Sequence, residues 1–208
     1  MAIALQVGLT ACDAAPSDAQ PPQAASTPGT SKGESPPTAP LPNATSTPRA
    51  GDPEETGHYT SLAVADCKVI DIDEEAGGST SICPGMGGYQ LRVLDGDARM
   101  SIDVIAPGGG RHPLDLWTVA SGAFSSLGPR AEWRFAEKGG APSALIVRFE
   151  AYEFPEQPQR TTSYLLVARL AGKDTCLTAQ IAPGPGQNLA ARDAADRAAN
   201  AACLRPPA

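Results

Sequence analysis

The chain has few of the residues that catalytic and nucleic-acid-binding proteins rely on. Only 2 histidines occur among 208 residues, and 16 Lys and Arg are outnumbered by 23 Asp and Glu, for a formal net charge of −7. Such a chain does not attract nucleic acid or an anionic membrane surface by bulk charge. No apolar run reaches the roughly 18 residues that a membrane-spanning helix needs, so the sequence predicts no such helix.

Motifs of catalytic and metal sites are scarce as well. His58 lies beside a Pro-rich segment and His112 precedes Pro113, and no Gly-x-Ser-x-Gly elbow supplies a nucleophile for either imidazole. No two cysteines have the short spacing that zinc sites use. The acidic cluster at 71–75 does not place Gly and Glu at the positions that a calcium loop requires. We therefore predict no catalytic residue, no metal site and no cofactor.

Residues 1–12 are mostly apolar and end in a cysteine. Leu9-Thr10-Ala11-Cys12 resembles the lipobox of bacterial lipoproteins, in which the cysteine is acylated and becomes the first residue of the mature chain. The resemblance implies a lipoprotein-type signal, lipidation of Cys12, and a location on the periplasmic side of a bacterial membrane. The leader is short and has no basic residue at its start, and an upstream start codon would explain both departures from the family.

Residues 13–57 are rich in Pro, Ser, Thr, Ala and Gly and contain no aromatic residue. Such a segment cannot bury enough apolar surface to offset the entropy lost on ordering, so we predict a disordered tether. A coil of this length spans about 35–40 Å, which would hold a domain clear of a membrane surface. The remaining residues, 58–208, are enough for one domain with its own core.

The stretch from Ile82 to Ala106 predicts a central hairpin of that domain. Leu91 and Val93 alternate with polar residues, and the same period of two continues after a turn, which places one set of side chains on a buried face. We place the turn at Asp95-Gly96, because a tight primed turn requires positive φ. The glycines before the hairpin predict a tight bend rather than a phosphate loop, because a strand follows them.

Further apolar runs and one Ala-rich segment complete the predicted fold. Strands are predicted at 114–118, 133–135, 145–149, 164–170 and 177–181, separated by turns such as Gly128-Pro129. Residues 187–204 predict a helix, with Asn188 as N-cap and with Arg192–Asp196 and Asp193–Arg197 ion pairs along its surface. The predicted fold class is α+β, a mainly antiparallel sheet with one C-terminal helix, stapled by disulfides.

The five cysteines divide into one and four. If Cys12 carries lipid, then Cys67, Cys83, Cys176 and Cys203 remain, and four cysteines allow three connectivities. The pairs Cys67–Cys83 and Cys176–Cys203 are favoured because each closes a local loop. Disulfides form in oxidising compartments, which agrees with export.

Charged residues on the predicted strands mark a candidate ligand face. Asp97, Arg99 and Arg134 lie opposite the apolar positions, and arginine can form forked hydrogen bonds to carboxylates or phosphates. We predict that Arg99 and Arg134 lie on one side of the sheet, with Trp133 and Phe135 on the other side. The alternative is that such residues only solvate the sheet, as cross-strand pairs.

Short motifs are spread over the second part of the chain: Tyr59-Thr60-Ser61-Leu62, Cys67, Cys83-Pro84-Gly85, Gly88-Tyr89, Gly96-Asp97 with Arg99, Glu132-Trp133-Arg134, Cys176 and the Ala-rich segment before Cys203. In them the chain resembles a group of uncharacterised exported proteins of alpha-proteobacteria. The resemblance implies one exported domain of about 150 residues. We expect a tethered envelope lipoprotein that binds an envelope protein or a cell-wall component and no nucleic acid. The alternatives are an envelope hydrolase and a purely structural surface protein.

Overall fold

The computed structural model describes residues 57–157 and 159–206. The predicted signal, Cys12 and the predicted tether up to residue 56 lie outside these residues. The first strand begins at Gly57, one residue before the predicted start of the domain.

The described residues form ten strands in two antiparallel sheets of five strands each. In spatial order, sheet A consists of β1 (Gly57–Ser61), β7 (Ser125–Phe135), β8 (Pro142–Ala151), β9 (Thr162–Arg169) and β10 (Cys176–Ile181). Sheet B consists of β2 (Lys68–Asp73), β3 (Gly78–Pro84), β4 (Gln90–Gly96), β5 (Arg99–Ile105) and β6 (Arg111–Pro113). The prediction of a mainly antiparallel protein is confirmed.

Within the part of the chain that the structure describes, two α-helices accompany the strands, α1 (Leu116–Val119) and α2 (Gln187–Asp196). The same residues include three short 3-10 turns, at 64–66, 172–174 and 198–200. The predicted C-terminal helix is confirmed, although it ends at Asp196 and its N-cap is Gly186, not Asn188. Gly186 has φ +76°, a left-handed conformation that glycine adopts without strain.

One hydrophobic core joins the two sheets. Leu91 and Ile102 of sheet B and Trp133, Phe149 and Leu166 of sheet A are fully buried in it. Each such side chain contributes roughly 1.5–3 kcal/mol by leaving water. The alternation along the strands therefore predicted the core face correctly on both sheets.

The outer face of sheet A carries a second, smaller core beneath α2. Ile146 and Val167 of the sheet pack there against Ala191 and Ala195 of the helix. Alanine side chains are small, so the helix lies close to the strands. Because α2 covers this face, polar side chains on that side of sheet A are removed from water as well.

Two local predictions are wrong. The segment at 114–118 is not a strand, because Asp115 takes φ +49° and starts α1. Gly128-Pro129 is not a turn but an irregular part of β7, where the register to β8 shifts between Leu127 and Ala131. In both places a local signal was outweighed by tertiary contacts, since Leu116 still reaches the core and Pro129 accepts a hydrogen bond from Leu62.

The β4–β5 hairpin forms as predicted, but its turn lies two residues later. Gly96 pairs with Arg99, so the loop residues are Asp97 and Ala98, with φ of 51° and 55°. Positive φ at both loop residues is the geometry of the primed turns that match strand twist. Gly96 serves a different purpose: a Cβ there would lie 3.1 Å from Cζ3 of Trp117.

Both favoured disulfides are present, Cys67–Cys83 and Cys176–Cys203. The first connects the segment before the edge strand β2 to the end of β3. The second connects β10 to the chain that follows α2, where Leu204 N–H also donates to the carbonyl of Leu177 at 2.8 Å. Both bonds therefore hold peripheral segments to the sheets.

Candidate functional site

An apolar pocket of about 630 Å³ opens between the loops at one end of the two sheets. We call it the end pocket, and its lining residues are Asp95, Ala98, Met100, Phe124, Ser125, Ser126, Tyr152, Phe154 and Pro155. They come from the β4–β5 hairpin, the segment between α1 and β7, the start of β7 and the loop after β8. The volume lies within the range of small-molecule sites, roughly 300–1,000 Å³.

Backbone hydrogen bonds hold the walls of the end pocket together. The N–H of Ser125 donates to the carbonyl of Ala98, and the N–H of Tyr152 donates to the carbonyl of Phe124, both at 2.8 Å. The N–H of Met100 donates to Ser125 Oγ at 3.0 Å. Three loops are thus tied to one another, which gives the pocket a defined shape before any ligand binds.

Aromatic side chains dominate the wall of the end pocket. Phe124 is 50% exposed and Tyr152 is 39% exposed, which is unusual for side chains of this size. Two arginines stack on this aromatic surface. The guanidinium of Arg99 lies 4.6 Å from the Phe124 ring centroid, and that of Arg160 lies 3.9 Å from the Phe154 centroid. Exposed apolar surface in a concave site is typical of a ligand-binding surface.

A single carboxylate oxygen stands out against this apolar wall. Asp95 Oδ1 is shielded from solvent and accepts no hydrogen bond from any described residue. Asp95 follows Leu91 and Val93 along β4 at the same period of two, so its side chain is on the core side of the strand. A buried acceptor without a donor is costly, and such atoms call for an explanation.

Two of the three predicted ligand-face residues meet at the rim of the end pocket. Arg99 Nη1 donates to Asp97 Oδ2 at 2.9 Å, and Arg99 Nε donates to the carbonyl of Gly122 at 3.1 Å. Arg134 lies apart from them, on β7 in the other sheet. The three residues therefore do not share one surface.

Arg134 is only 3% exposed because α2 covers it. Its Nη2 donates to Asp196 Oδ1 of α2 at 3.1 Å, and its Nη1 approaches Glu132 Oε1 at 3.4 Å. Trp133 is buried on the opposite side of β7, as predicted, and its indole N–H donates to Thr60 Oγ1 at 2.8 Å. Alternation places the two side chains correctly on opposite faces, but both faces are covered.

Among the described residues, two groups have pKa values that depart from their ordinary range. Burial, together with the hydrogen bond to Glu153, raises the pKa of Tyr164. The hydrogen bond from Arg192 to Glu132 raises the pKa of the Arg192 guanidinium further above its usual value. Neither shift moves a group toward neutral pH, where a general acid or base would have to titrate.

The two histidines lie away from the end pocket. His58 is on β1 with its ring edge against Phe135, at 5.2 Å between centroids, and His112 is on β6 opposite Val104. Among the described residues neither imidazole makes a side-chain hydrogen bond, and no three His, Cys, Asp or Glu are grouped as metal ligands. Asp73 Oδ1, in the acidic cluster, accepts the N–H groups of Glu75 and Ala76 and so serves a turn.

The aromatic residues of the end pocket were not part of the predicted ligand face. Phe124 and Phe154 are two of only four phenylalanines in the chain, and both lie outside strands. A large apolar side chain in a polar loop was the available signal. Sequence alone could not bring these loops together, since the residues are 30 positions apart.

Comparisons with protein-family models, with curated proteins and with solved structures find no match to this chain. Within residues 57–157 and 159–206, no helix is long and apolar enough to cross a membrane. The functional argument therefore depends on the site itself.

Proposed function

We propose that the protein is a membrane-tethered binding module of a bacterial cell envelope, and that the end pocket binds a ligand with an apolar body and an amine. The end pocket is the observation that carries the proposal. The two disulfides agree with an exported protein, because such bonds persist in oxidising compartments. The Leu9-Thr10-Ala11-Cys12 motif and the Pro-rich tether supply the anchor in this proposal.

The chemistry of the wall defines the ligand class. Phe124, Tyr152 and Phe154 offer ring faces that favour an apolar or aromatic body. Asp95 lines the pocket and its Oδ1 lacks a donor, so rotation of the carboxylate toward the pocket would present that oxygen to an ammonium group, which carries three donors. A bound amine would therefore remove the cost of the unpaired acceptor and gain a charge-assisted hydrogen bond. An envelope protein or a cell-wall component would present such a group.

Binding of matched small molecules tests the pocket. We expect phenethylamine to bind the full-length protein more tightly than 3-phenylpropionate, which has a similar body and the opposite charge. Saturation-transfer NMR and calorimetry would measure both ligands. In Asp95→Asn the preference for the amine should fall about tenfold, as expected for loss of a charge-assisted hydrogen bond.

Phe154→Ala and Phe149→Ala form a useful pair of variants. Phe154→Ala removes a ring from the pocket wall and should weaken binding of both ligands, with little change in folding. Phe149→Ala alters the core and should lower stability by about 3–5 kcal/mol. Absence of binding of either ligand, or equal binding of both in wild type and Asp95→Asn, would refute the proposed ligand.

The tether is tested separately, by metabolic labelling. The full-length gene, including any upstream start, is expressed with labelled fatty acid. The label should appear in the wild-type protein and disappear in Cys12→Ser. One acyl chain is only a marginal anchor, and several chains hold firmly. A soluble, unlabelled wild-type protein would show that the tether does not form.

A further inference from the structure

A second cleft, of about 180 Å³, lies beneath α2 on the outer face of sheet A. We call it the arginine cleft, because Arg130, Arg148 and Arg192 line it together with Tyr59, Glu132 and Asn188. Its residues come from β1, β7, β8, β9 and α2. It is therefore a product of the tertiary fold and is separate from the end pocket.

Arg192 is held in place by two partners in the cleft. Its Nε donates to Glu132 Oε1 at 2.9 Å, and its Nη2 donates to the hydroxyl of Tyr59 at 2.8 Å. Tyr59 in turn donates to Glu132 Oε2 at 2.9 Å. The hydrogen bonds hold the guanidinium in one orientation, and its Nη1 makes no hydrogen bond to a described residue.

Arg148 and Arg130 bring further donors to the same space. Arg148 Nη1 donates to Ser163 Oγ at 2.6 Å and to Gln187 Oε1 at 3.4 Å, and these contacts leave its Nε and Nη2 without an acceptor among described residues. Arg130 lies over the ring of Tyr59 at 5.0 Å. Within the part of the chain that the structure describes, its guanidinium forms no hydrogen bond or ion pair.

The charge of the arginine cleft is opposite to that of the chain. Three guanidiniums face one carboxylate, which leaves two positive charges in a chain of net charge −7. Glu132 does not leave a free acceptor that would repel an anion, because both of its oxygens already accept hydrogen bonds, from Arg192, Arg134 and Tyr59. Glu150 does not line the cleft, and it accepts a hydrogen bond from the hydroxyl of Ser163. Concentrated positive charge in a concave site attracts anions.

The start of α2 adds to this field. Its N-cap, Gly186, has no side chain to cap the first turn, in which the N–H of Gln187 donates to the carbonyl of Gly184 at 3.2 Å and Asn188 lines the cleft. Helix N-termini carry partial positive charge and favour anions. This contribution supports the three arginines and would not define a site without them.

We propose that the arginine cleft binds the phosphate group of a phosphate monoester. Two positive charges match a phosphate dianion, and the planar guanidiniums suit its oxygens, because arginine forms paired N–H···O bonds with such groups. The cleft has room for the phosphate alone, so the ester would extend into solvent. This assignment does not depend on the ligand proposed for the end pocket.

Phosphate titration of the full-length protein tests the proposal. Inorganic phosphate is added at constant ionic strength, with chloride as the balancing salt, and binding is followed by calorimetry and by NMR of the arginine Nε–H signals. We expect saturable binding that shifts Arg192 and Arg148. Arg130→Gln, at an exposed position, should weaken binding about tenfold, since it removes charge-assisted hydrogen bonds.

Arg197→Gln is the matched control. Arg197 is exposed, lies at the end of the same helix and does not line the cleft, so its removal changes the net charge equally. If Arg197→Gln weakens phosphate binding as much as Arg130→Gln, binding reflects bulk charge and the proposal fails. Unchanged thermal unfolding of both variants would show that neither result comes from misfolding.

The source of the phosphate is distinguished by two further ligands. Glycerol phosphate represents a soluble monoester, and vesicles containing phosphatidic acid represent a lipid headgroup. Binding of either one that is lost in Arg130→Gln supports the assignment and identifies the source. Binding of inorganic phosphate without binding of either ester would overturn the assignment to a monoester, as would a site that binds acetate equally well.

Discussion

At the scale of single residues, the backbone of Gly85 packs directly against the backbone of Tyr89. A Cβ at this position would contact the carbonyl oxygen of Tyr89 at less than any real van der Waals distance. The bend that it allows connects Cys83, in its disulfide, to the start of β4. Gly85 does not have a left-handed φ, so its conformation alone does not require glycine. Glycine is needed here because any side chain would prevent the close approach of the two backbone segments.

Gly85→Ala should therefore lower the free energy of unfolding by about 1–3 kcal/mol, because the added methyl must displace main-chain atoms. Urea denaturation measures the change. Gly184→Ala is the control, because Gly184 has ordinary φ and no atom within 4 Å of the added Cβ. We expect the control to stay within about 0.5 kcal/mol of wild type. Equal stability of the two variants would contradict this role of Gly85.

The hydroxyl of Tyr164 donates to Glu153 Oε2 at 3.0 Å, and burial with this carboxylate raises its pKa above 10.0 in the folded state. The unfolded chain therefore loses this proton first as the pH rises. Between the unfolded and folded pKa values the folded state binds more protons, so stability falls as pH increases. Below pH 10.0 the contribution is fully present.

Tyr164→Phe should reduce this alkaline loss, because it removes the group that titrates. Urea denaturation at several pH values from neutrality to above 10 gives the slope for each protein. Tyr152→Phe, at an exposed position, corrects for the removal of a hydroxyl. Parallel pH profiles for wild type and Tyr164→Phe would show that this residue does not cause the loss.

At the scale of elements, ion pairs to sheet A hold α2 in place, whereas, in the part of the chain that the structure describes, the ion pairs expected along the surface of the helix do not form. Arg192 pairs with Glu132 and Asp196 pairs with Arg134, so both reach the sheet. Among the described residues, neither of the two predicted ion pairs within the helix forms. The ion pairs to buried residues of the sheet thus stabilise the helix by more than the few tenths of a kcal/mol that a surface pair contributes.

The Cys176–Cys203 disulfide closes the chain segment that contains α2. Replacing both cysteines by serine should cost about 2–5 kcal/mol, as removal of a native disulfide usually does. Because the bond holds the segment after α2, amide hydrogen exchange should accelerate in α2 more than in β7 and β8. Equal acceleration across all elements would mean that the bond stabilises the domain as a whole and not this helix.

At the scale of the whole molecule, one core shared by two sheets predicts a unit that folds without the N-terminal segment. Limited proteolysis of the full-length protein should leave a fragment that begins near His58 and contains about 150 residues. N-terminal sequencing and mass spectrometry identify its ends. Early cleavage near Trp133, inside the buried strand β7, would show that the core does not resist protease as one unit. A fragment beginning well after β1 would show that β1 is dispensable.

The sequence by itself determined most of the strands and their buried faces, and it favoured the disulfide pairing that the structure shows. Leu91, Ile102 and Trp133 follow a period of two that any extended chain must obey, so their burial could be predicted. The disulfides Cys67–Cys83 and Cys176–Cys203 close local loops. These features are local, because they depend on residues that are close along the chain.

Only the tertiary structure decided what covers each face and which loops meet. Arg134 lies on the side of β7 that alternation assigns to solvent, yet α2 packs over it from 62 residues away. The end pocket joins Asp95 of β4 with Phe124 and Phe154 of two loops, and no periodicity relates the three residues. The turn at Asp97-Ala98 was likewise set by strand register, not by the Asp-Gly pair. Periodicity reports the direction of a side chain, whereas its neighbours depend on contacts between distant segments.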